Sequence, residues 1–336
     1  MNSTLKFERT GDWSCQDILF SMVRLDDAER FAIGSSDFKI YEIDFSAEKP
    51  ERQEFVGEGH TSYVTSMVVA NEMVVSGSYD GHLVWWNLSD RQQVRRQQAH
   101  DRWIRRVAAT PDGTRIVSVA DDMQCKVWDA VSGDLISSFT DHPELTPHHY
   151  PSMLYALAIS ADGQLIATGD RVGHVAIWDA ERFEKVGEVE APGMYTWDPK
   201  ARRHSIGGIR SLAFSPDATK LAVGGIGKIG NIDHLGGPSR LEIFNWADQS
   251  EPVLIEDDQK KGLIEQIHWQ PDSNAIVAAG GDHKGFINLY DLASAKLSAQ
   301  SETNGHIHAL ASDASYALFH TAGHNRMNRF KLSLNE

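Results

Sequence analysis

Three segments of this 336-residue chain superpose without a gap: VVSGSYDGHLVWWN (74–87), IVSVADDMQCKVWD (116–129) and IATGDRVGHVAIWD (166–179). Each is an apolar run, a turn carrying Gly or Asp, and an alternating run that ends in Trp followed by Asp or Asn. Weaker copies are FAIGSSDFKIYE (31–42), RLEIFN (240–245), FINLYD (286–291) and NRMNRFKL (325–332). An aromatic anchor therefore recurs at Tyr41, Trp86, Trp128, Trp178, Phe244, Tyr290 and Phe330, in steps of 45, 42, 50, 66, 46 and 40 residues. A repeat of this length is one small unit that cannot bury its apolar face alone, so the copies must stack on one another.

A second periodic element precedes the anchors. VAATPDG (107–113), LAISADG (157–163) and LAFSPDA (212–218) are alternating runs ending in a tight turn. Asp can bond its own backbone there and Gly supplies a positive φ, so these read as hairpin turns. Another short run follows each anchor, as in QQVRRQQ (92–98) and LISSFT (135–140). No stretch sustains a 3.6-residue apolar period, so the chain reads as all-β with four short strands per unit.

Four antiparallel strands repeated seven times leave their faces exposed unless the units pack radially. The Trp-Asp pairs at 128–129 and 178–179, Trp86-Asn87 and the dipeptide Gly59-His60 resemble the WD-repeat family, and the likeness covers nearly the whole chain. It implies a seven-bladed β-propeller of four-stranded antiparallel blades, one domain over residues 1–336. The last unit supplies three runs, so the N-terminal strand Leu5–Arg9 is expected to join the C-terminal blade and close the ring.

The resemblance also implies a buried hydrogen-bond network. Carried over by position, it gives His60, Ser76, Asp80 and Trp86, then His100, Ser118, Asp122 and Trp128. The next unit keeps His142, Thr168 and Trp178, with Val172 where the Asp would stand. A carboxylate, imidazole, hydroxyl and indole can satisfy one another, so this set reads as structural, with no catalytic residue in it. Tyr41, Phe244, Tyr290 and Phe330 depart from the pattern, and Phe cannot donate the indole bond.

Three loop insertions, 141–153, 191–208 and 225–240, hold most of the surplus over a plain repeat. Antiparallel topology sends all three to one rim, and long loops on a rigid scaffold are where binding residues concentrate. Segment 191–210 carries Lys200, Arg202, Arg203 and Arg210 against a single acid, Asp198, with Tyr195 and Trp197 beside them. Aromatics with Arg make recognition hot spots, and the guanidinium fork suits carboxylates. The expected partner-binding residues are Tyr195, Trp197, Arg202, Arg203, His204 and Lys228, extended along the rim by Trp103, Arg102, Tyr63 and Tyr79. Gly225, Gly227 and Gly230 match G-x-G-x-x-G, but another strand follows where a dinucleotide site needs a helix. His142, His148, His149, His204 and His234 cluster in the same loops and carry the alternative, a small-molecule- or metal-binding protein or enzyme.

Composition sets the remaining limits. Charged residues are 24% and hydrophobic ones 41%, a globular balance. The formal charge of −15 argues against nucleic acid, whose binding needs a basic face. Cys15 and Cys125 give no disulfide framework, and no apolar run reaches the length of a membrane span. The reading is therefore a cytoplasmic, non-enzymatic scaffold, monomeric by itself, without metal or cofactor. It would bind a protein or peptide bearing an acidic segment.

Overall fold

The hairpin turns are set by the Asp and Gly residues of the repeats. In Thr110–Gly113 the N–H of Gly113 donates to the Thr110 carbonyl at 2.8 Å, and Asp112 accepts the N–H of Thr114 at 3.0 Å. Gly113 has φ +70°, the left-handed value that closes the turn. Turns of this kind join strands into antiparallel ladders throughout the chain. The computed structural model describes residues 5–334 apart from 27, 201–203, 231–234, 249 and 272–274, and only the backbone of 257–260.

Five four-stranded sheets follow one another in sequence. The first holds β5 (Val64–Ala70), β6 (Met73–Ser78), β7 (His82–Asn87) and β8 (Gln93–Gln98). The second holds β9 (Ile104–Ala109), β10 (Arg115–Ala120), β11 (Cys125–Asp129) and β12 (Leu135–Phe139). The third holds β13 (Leu154–Ile159), β14 (Leu165–Asp170), β15 (His174–Asp179) and β16 (Lys185–Glu190). A two-stranded hairpin, β17 (Tyr195–Asp198) and β18 (His204–Gly207), is inserted next. The fourth sheet holds β19 (Ile209–Phe214), β20 (Leu221–Ile226), β21 (Pro238–Phe244) and β22 (Val253–Lys261). The fifth holds β23 (Leu263–Trp269), β24 (Ala275–Gly281), β25 (Gly285–Asp291) and β26 (Lys296–Thr303).

The sixth sheet joins the two ends of the chain. It contains β1 (Leu5–Arg24), β2 (Arg30–Ser35), β3 (Ile40–Asp44), β4 (Gln53–Glu54), β27 (Ile307–Ser312) and β28 (Leu318–Leu334), in the order β27-β28-β1-β2-β3-β4. β1 and β28 pair antiparallel from Leu5↔Leu334 to Ile18↔His324. This pairing covers the edge of β28 with the first strand of the chain, and Leu5–Ser14 form the outer strand of that ladder.

The structure is thus a β-propeller of six blades, not the seven expected from the anchors. The reason lies in β1 and β28, which run on without a break, so that the first and last repeats share one ladder. Counting anchors could not show this, because Tyr41 on β3 and Phe330 on β28 fall in the same sheet. The ladder shifts register between Ser14 and Ile18, and the two halves of the sheet pack together through Leu19, Phe31, Ile33, Phe45, Ala322 and Met327.

The core lies between successive sheets. Val75, Leu83 and Trp85 pack on Ile104, Val107, Ile116 and Trp128 of the next sheet. Ala156, Val175 and Ile177 meet Ile209, Leu212, Leu221 and Val223 in the same way. The leading strands β5, β9, β13, β19, β23 and β27 are neighbours in succession, and β1 closes the circle against β27 and β5. Their residues line a central channel.

Candidate partner-binding face and channel mouth

The three insertions meet. The hairpin β17–β18 stands up from a 3-10 turn at Pro192–Met194, with Met194 fully buried beneath it. The ring of His148, from the 141–153 loop, stacks on Trp197 with centroids 4.0 Å apart and planes at 11°. His148 Nδ1 lies 2.9 Å from the Tyr195 hydroxyl, and Tyr150 contacts both Trp197 and His204. From the glycine segment, the Ile229 N–H donates to Thr196 Oγ1 at 3.1 Å, and Ile229 packs on Ile226, Leu263, Ile206 and Leu235. Gly225 permits this close approach, since a Cβ there would stand 2.6 Å from the Gly208 carbonyl oxygen. Tyr195 and Trp197 are half-buried in this packing, whereas His204 and Lys228 are exposed. Arg202, Arg203 and His234 lie outside the described residues.

A second aromatic group lies beside the first. The Trp103 indole stacks on Tyr79 at 4.4 Å and 10°, Tyr63 contacts Tyr79 at 5.9 Å, and Phe38 contacts Tyr63 at 5.7 Å. Trp103 is 48% exposed, and Arg102 is exposed next to it. Arg105 ties this ridge to its neighbours. Its guanidinium makes a bidentate pair with Asp121 at 2.7 Å, donates to the Tyr79 hydroxyl at 2.6 Å and lies over the rings of Tyr79, Trp103 and Tyr155. Burial alone would lower its pKa, but Asp121 and the two tyrosines outweigh that and raise it. The other face of the link is Arg210, 3.8 Å from the Tyr155 ring centre. The chain Trp103–Arg105–Tyr155–Arg210 therefore leads from the exposed ridge to the foot of the β17–β18 hairpin.

Under both groups, three blades carry the same set of bonds. His60 Nε2 is 2.7 Å from Ser76 Oγ, His60 Nδ1 is 3.2 Å from Asp80, and Trp86 donates its indole N–H to Ser76 Oγ at 2.9 Å. The corresponding distances are 2.7, 2.9 and 2.9 Å for His100, Ser118, Asp122 and Trp128. A carboxylate only accepts, so His60 Nδ1–H donates to Asp80, the Ser76 hydroxyl donates to Nε2, and the indole donates to that hydroxyl. Burial opposes ionisation of Asp80, but the bonds from His60, Thr61 N–H and His82 N–H hold its carboxyl far below the usual range. In the next blade His142 meets Thr168 at 2.8 Å and Trp178 donates to Thr168 at 3.0 Å. Val172 does not leave that blade without an acid. Asp170, two residues earlier at the end of β14, faces His142 Nδ1 at 3.2 Å and accepts the N–H groups of Val172, Gly173 and His174.

Residues 36–179 match the family described as the WDR19 second beta-propeller. That span holds every residue of the three networks, from His60 to Trp178. This match supports a WD-repeat propeller. The chain is similar to mouse telomerase protein component 1, 23% identical over 76% of this chain and 8% of that protein. It is also similar to eukaryotic translation initiation factor 3 subunit I of Candida albicans, 24% identical over 61% of this chain and 53% of that protein. A guanine nucleotide-binding protein subunit beta of Oryza sativa subsp. indica is 29% identical over 38% of this chain and 34% of its own length. The chain thus spans about half or less of the length of these curated relatives. Among the described residues, no helix is long and apolar enough to cross a membrane.

The structure also shows what sequence reasoning missed. A cavity of about 570 Å³ opens at the channel mouth, lined by Tyr79, Arg106, Tyr155, Glu265, His306 and His308 among others. These residues come from inner strands and adjoining turns of separate blades, so no local motif joins them. Burial pushes His308 down to about 3. Burial would raise Glu265, but His306, His308 and Arg210 outweigh it and bring it down to about 2. Arg171, 7% exposed, was also unremarked: it donates to the carbonyls of Pro151 and Ser205 and so clamps two of the long loops. Of the loop histidines, His142 belongs to the blade network and His148 to the aromatic stack. Among the described residues they form no group spaced for a metal ion.

Proposed function

We propose that this WD-repeat propeller is a non-enzymatic scaffold that docks a protein or peptide on the rim built by the loops 141–153, 191–208 and 225–240. The observation that carries this reading is the convergence of the three loops into an aromatic cluster, His148–Trp197–Tyr195–Tyr150, continuous with the exposed Trp103 ridge. A cluster already packed in the free protein loses little side-chain entropy on binding, and exposed Trp beside Arg is the composition of an interface anchor. Trp103, Tyr63, Tyr79 and Arg102 would anchor the partner. Tyr195, Trp197, His204 and Lys228 would form the adjoining wall, and Lys228 together with Arg202 and Arg203, which lie outside the described residues, would favour an acidic segment. Regular repeats serve the ring itself, so the insertions are where this chain departs from a plain propeller. Free Cys15 and Cys125 accord with a reducing, cytoplasmic setting, and the scaffold would act as a monomer.

Capture from native lysate tests this reading with three baits: wild type, a Trp103→Ala, Tyr63→Ala variant, and a Trp197→Ala, Arg202→Ala, Arg203→Ala variant. Equal melting of the three is checked first. A protein retained by wild type and lost from both variants is the expected result. Partners retained equally by all three baits would place the docking surface elsewhere.

A further inference from the structure

Two histidines flank Ile307, the first residue of β27: His306 just ahead of the strand and His308 within it. The ladder shifts register between Ile307 and Ala309, and the two imidazole rings lie 4.4 Å apart. Glu265, on β23 of the preceding blade, faces them: His306 Nε2 is 3.3 Å from Glu265 Oε1. One nitrogen of each ring and one oxygen of Glu265 all lie within 4.8 Å of one another. A tetrahedral ion bonded at about 2.1 Å holds its donors about 3.4 Å apart, so small side-chain rotations bring the three onto one ion.

Two details separate this trio from an ordinary buried ion pair. His308 Nε2 is buried and has no hydrogen-bond partner in the protein, an arrangement that costs stability unless something else binds there. The Glu265 carboxylate is also divided, with Oε1 toward His306 and Oε2 3.8 Å from the Arg106 guanidinium. Arg106 in turn donates to the carbonyls of Arg210 and Glu265, so the carboxylate is held in place. A third imidazole, His324, has its ring 5.0 Å from that of His308 and 5.5 Å from that of His306. Above the group the channel mouth is open, leaving room for a further ligand.

From this arrangement we propose that Glu265, His306 and His308 form a site for a divalent first-row transition ion, zinc foremost, with an open position facing the channel mouth. The surroundings decide the kind of ion. Arg106 and Arg210 lie close by, so a hard cation held by charge alone, such as magnesium or calcium, is disfavoured. An ion that bonds strongly to imidazole nitrogen tolerates those neighbours better. The site ties β23 to β27 across two blades and is separate from the loop histidines considered in the sequence.

The test uses the untagged full chain, stripped with chelator and titrated with cobalt(II) and then with zinc. The expected result is one saturable equivalent, a visible band of nitrogen-ligated cobalt, and its displacement by zinc. His308→Ala removes a nitrogen that holds no hydrogen bond, so the fold should survive, and affinity should fall by at least about 30-fold. His306→Ala should do the same, and His148→Ala in the loop should change nothing. Absence of saturable binding by wild type overturns the proposal, as does binding that survives His308→Ala or depends on His148.

Discussion

Trp86 donates its indole N–H to Ser76 Oγ at 2.9 Å, and that one oxygen also faces His60 Nε2 at 2.7 Å. A single fully buried hydroxyl thus joins the anchor of β7 to the loop ahead of β5. Ser76→Ala removes it and leaves two buried polar groups without a partner. The expected loss is about 2–4 kcal/mol, because each orphaned group costs its desolvation. Trp86→Phe keeps the apolar packing and removes a donor along with the indole, so it should cost less. Urea unfolding of the two variants checks the order; a Ser76→Ala variant as stable as wild type would show that the network contributes nothing.

His320 predicts a pH dependence. Its ring is buried between Phe31 and Phe45, at 4.6 and 5.1 Å, with Nε2 3.0 Å from Glu29. Burial lowers its pKa to about 4 against the pull of Glu29, with Arg24 and Arg329 adding to the lowering. The folded value lies below the unfolded one near 6.5, so at pH 5 the unfolded chain holds a proton that the folded chain does not. Stability is complete above about pH 6.5 and falls toward pH 4, by about 2 kcal/mol at pH 5 for this group. His268, lowered by burial to about 4, acts in the same direction. Urea midpoints should drop between pH 7.5 and 5, and His320→Phe should flatten part of that slope. An unchanged slope in the variant would remove His320 as its source.

How much of this was legible in the sequence follows from where each signal is written. The repeats are local, so the three segments ending at Trp86, Trp128 and Trp178 showed the strands, the turns and most of the buried network directly. The third network was read as lacking its carboxylate at position 172, because Asp170 reaches His142 from the strand end and not from the turn. Blade number depends on whether β1 and β28 break, which is a matter of long-range pairing that anchors do not record. The Arg105–Tyr155–Arg210 link and the Glu265–His306–His308 group join residues from different blades. Only the closed ring brings them together. Tyr290, by contrast, is served locally: Asn288 Nδ2, two residues earlier on the same strand, donates to its hydroxyl at 2.8 Å.

The joining of the chain ends gives a third prediction. Phe7 on β1 is 7% exposed and meets Phe319 and Phe330 edge-on, at 5.7 and 6.5 Å. Phe7→Ala should destabilise by about 3–5 kcal/mol, the range for an aromatic core residue cut to Ala. Deleting residues 1–10 should do more, since it also uncovers the hydrogen-bonding edge of β28 and invites pairing with another chain. Thermal unfolding and size-exclusion chromatography read the two effects. A truncated chain with unchanged melting and elution would show that the N-terminal strand does not latch the ring.

Arg171 allows loop placement to be separated from blade stability. Its guanidinium donates to the Pro151 carbonyl at 3.3 Å and the Ser205 carbonyl at 2.5 Å, linking the 141–153 loop to β18. Gly208 makes room for the Arg171 backbone: with φ +101°, it would put a Cβ 2.7 Å from the Arg171 carbonyl oxygen. Arg171→Met keeps the stem that packs there and removes the donors. The blade ladders lose nothing, so amide exchange in the strands of the third and fourth sheets should stay as in wild type. Exchange in 141–153 and 195–207 should quicken by about tenfold or more, the change that loss of about 1.4 kcal/mol of local stability produces. If the rim binds as proposed, affinity for a captured partner should weaken in step with that loosening. Unchanged loop exchange would mean that the His148–Trp197 stack alone holds the two loops together.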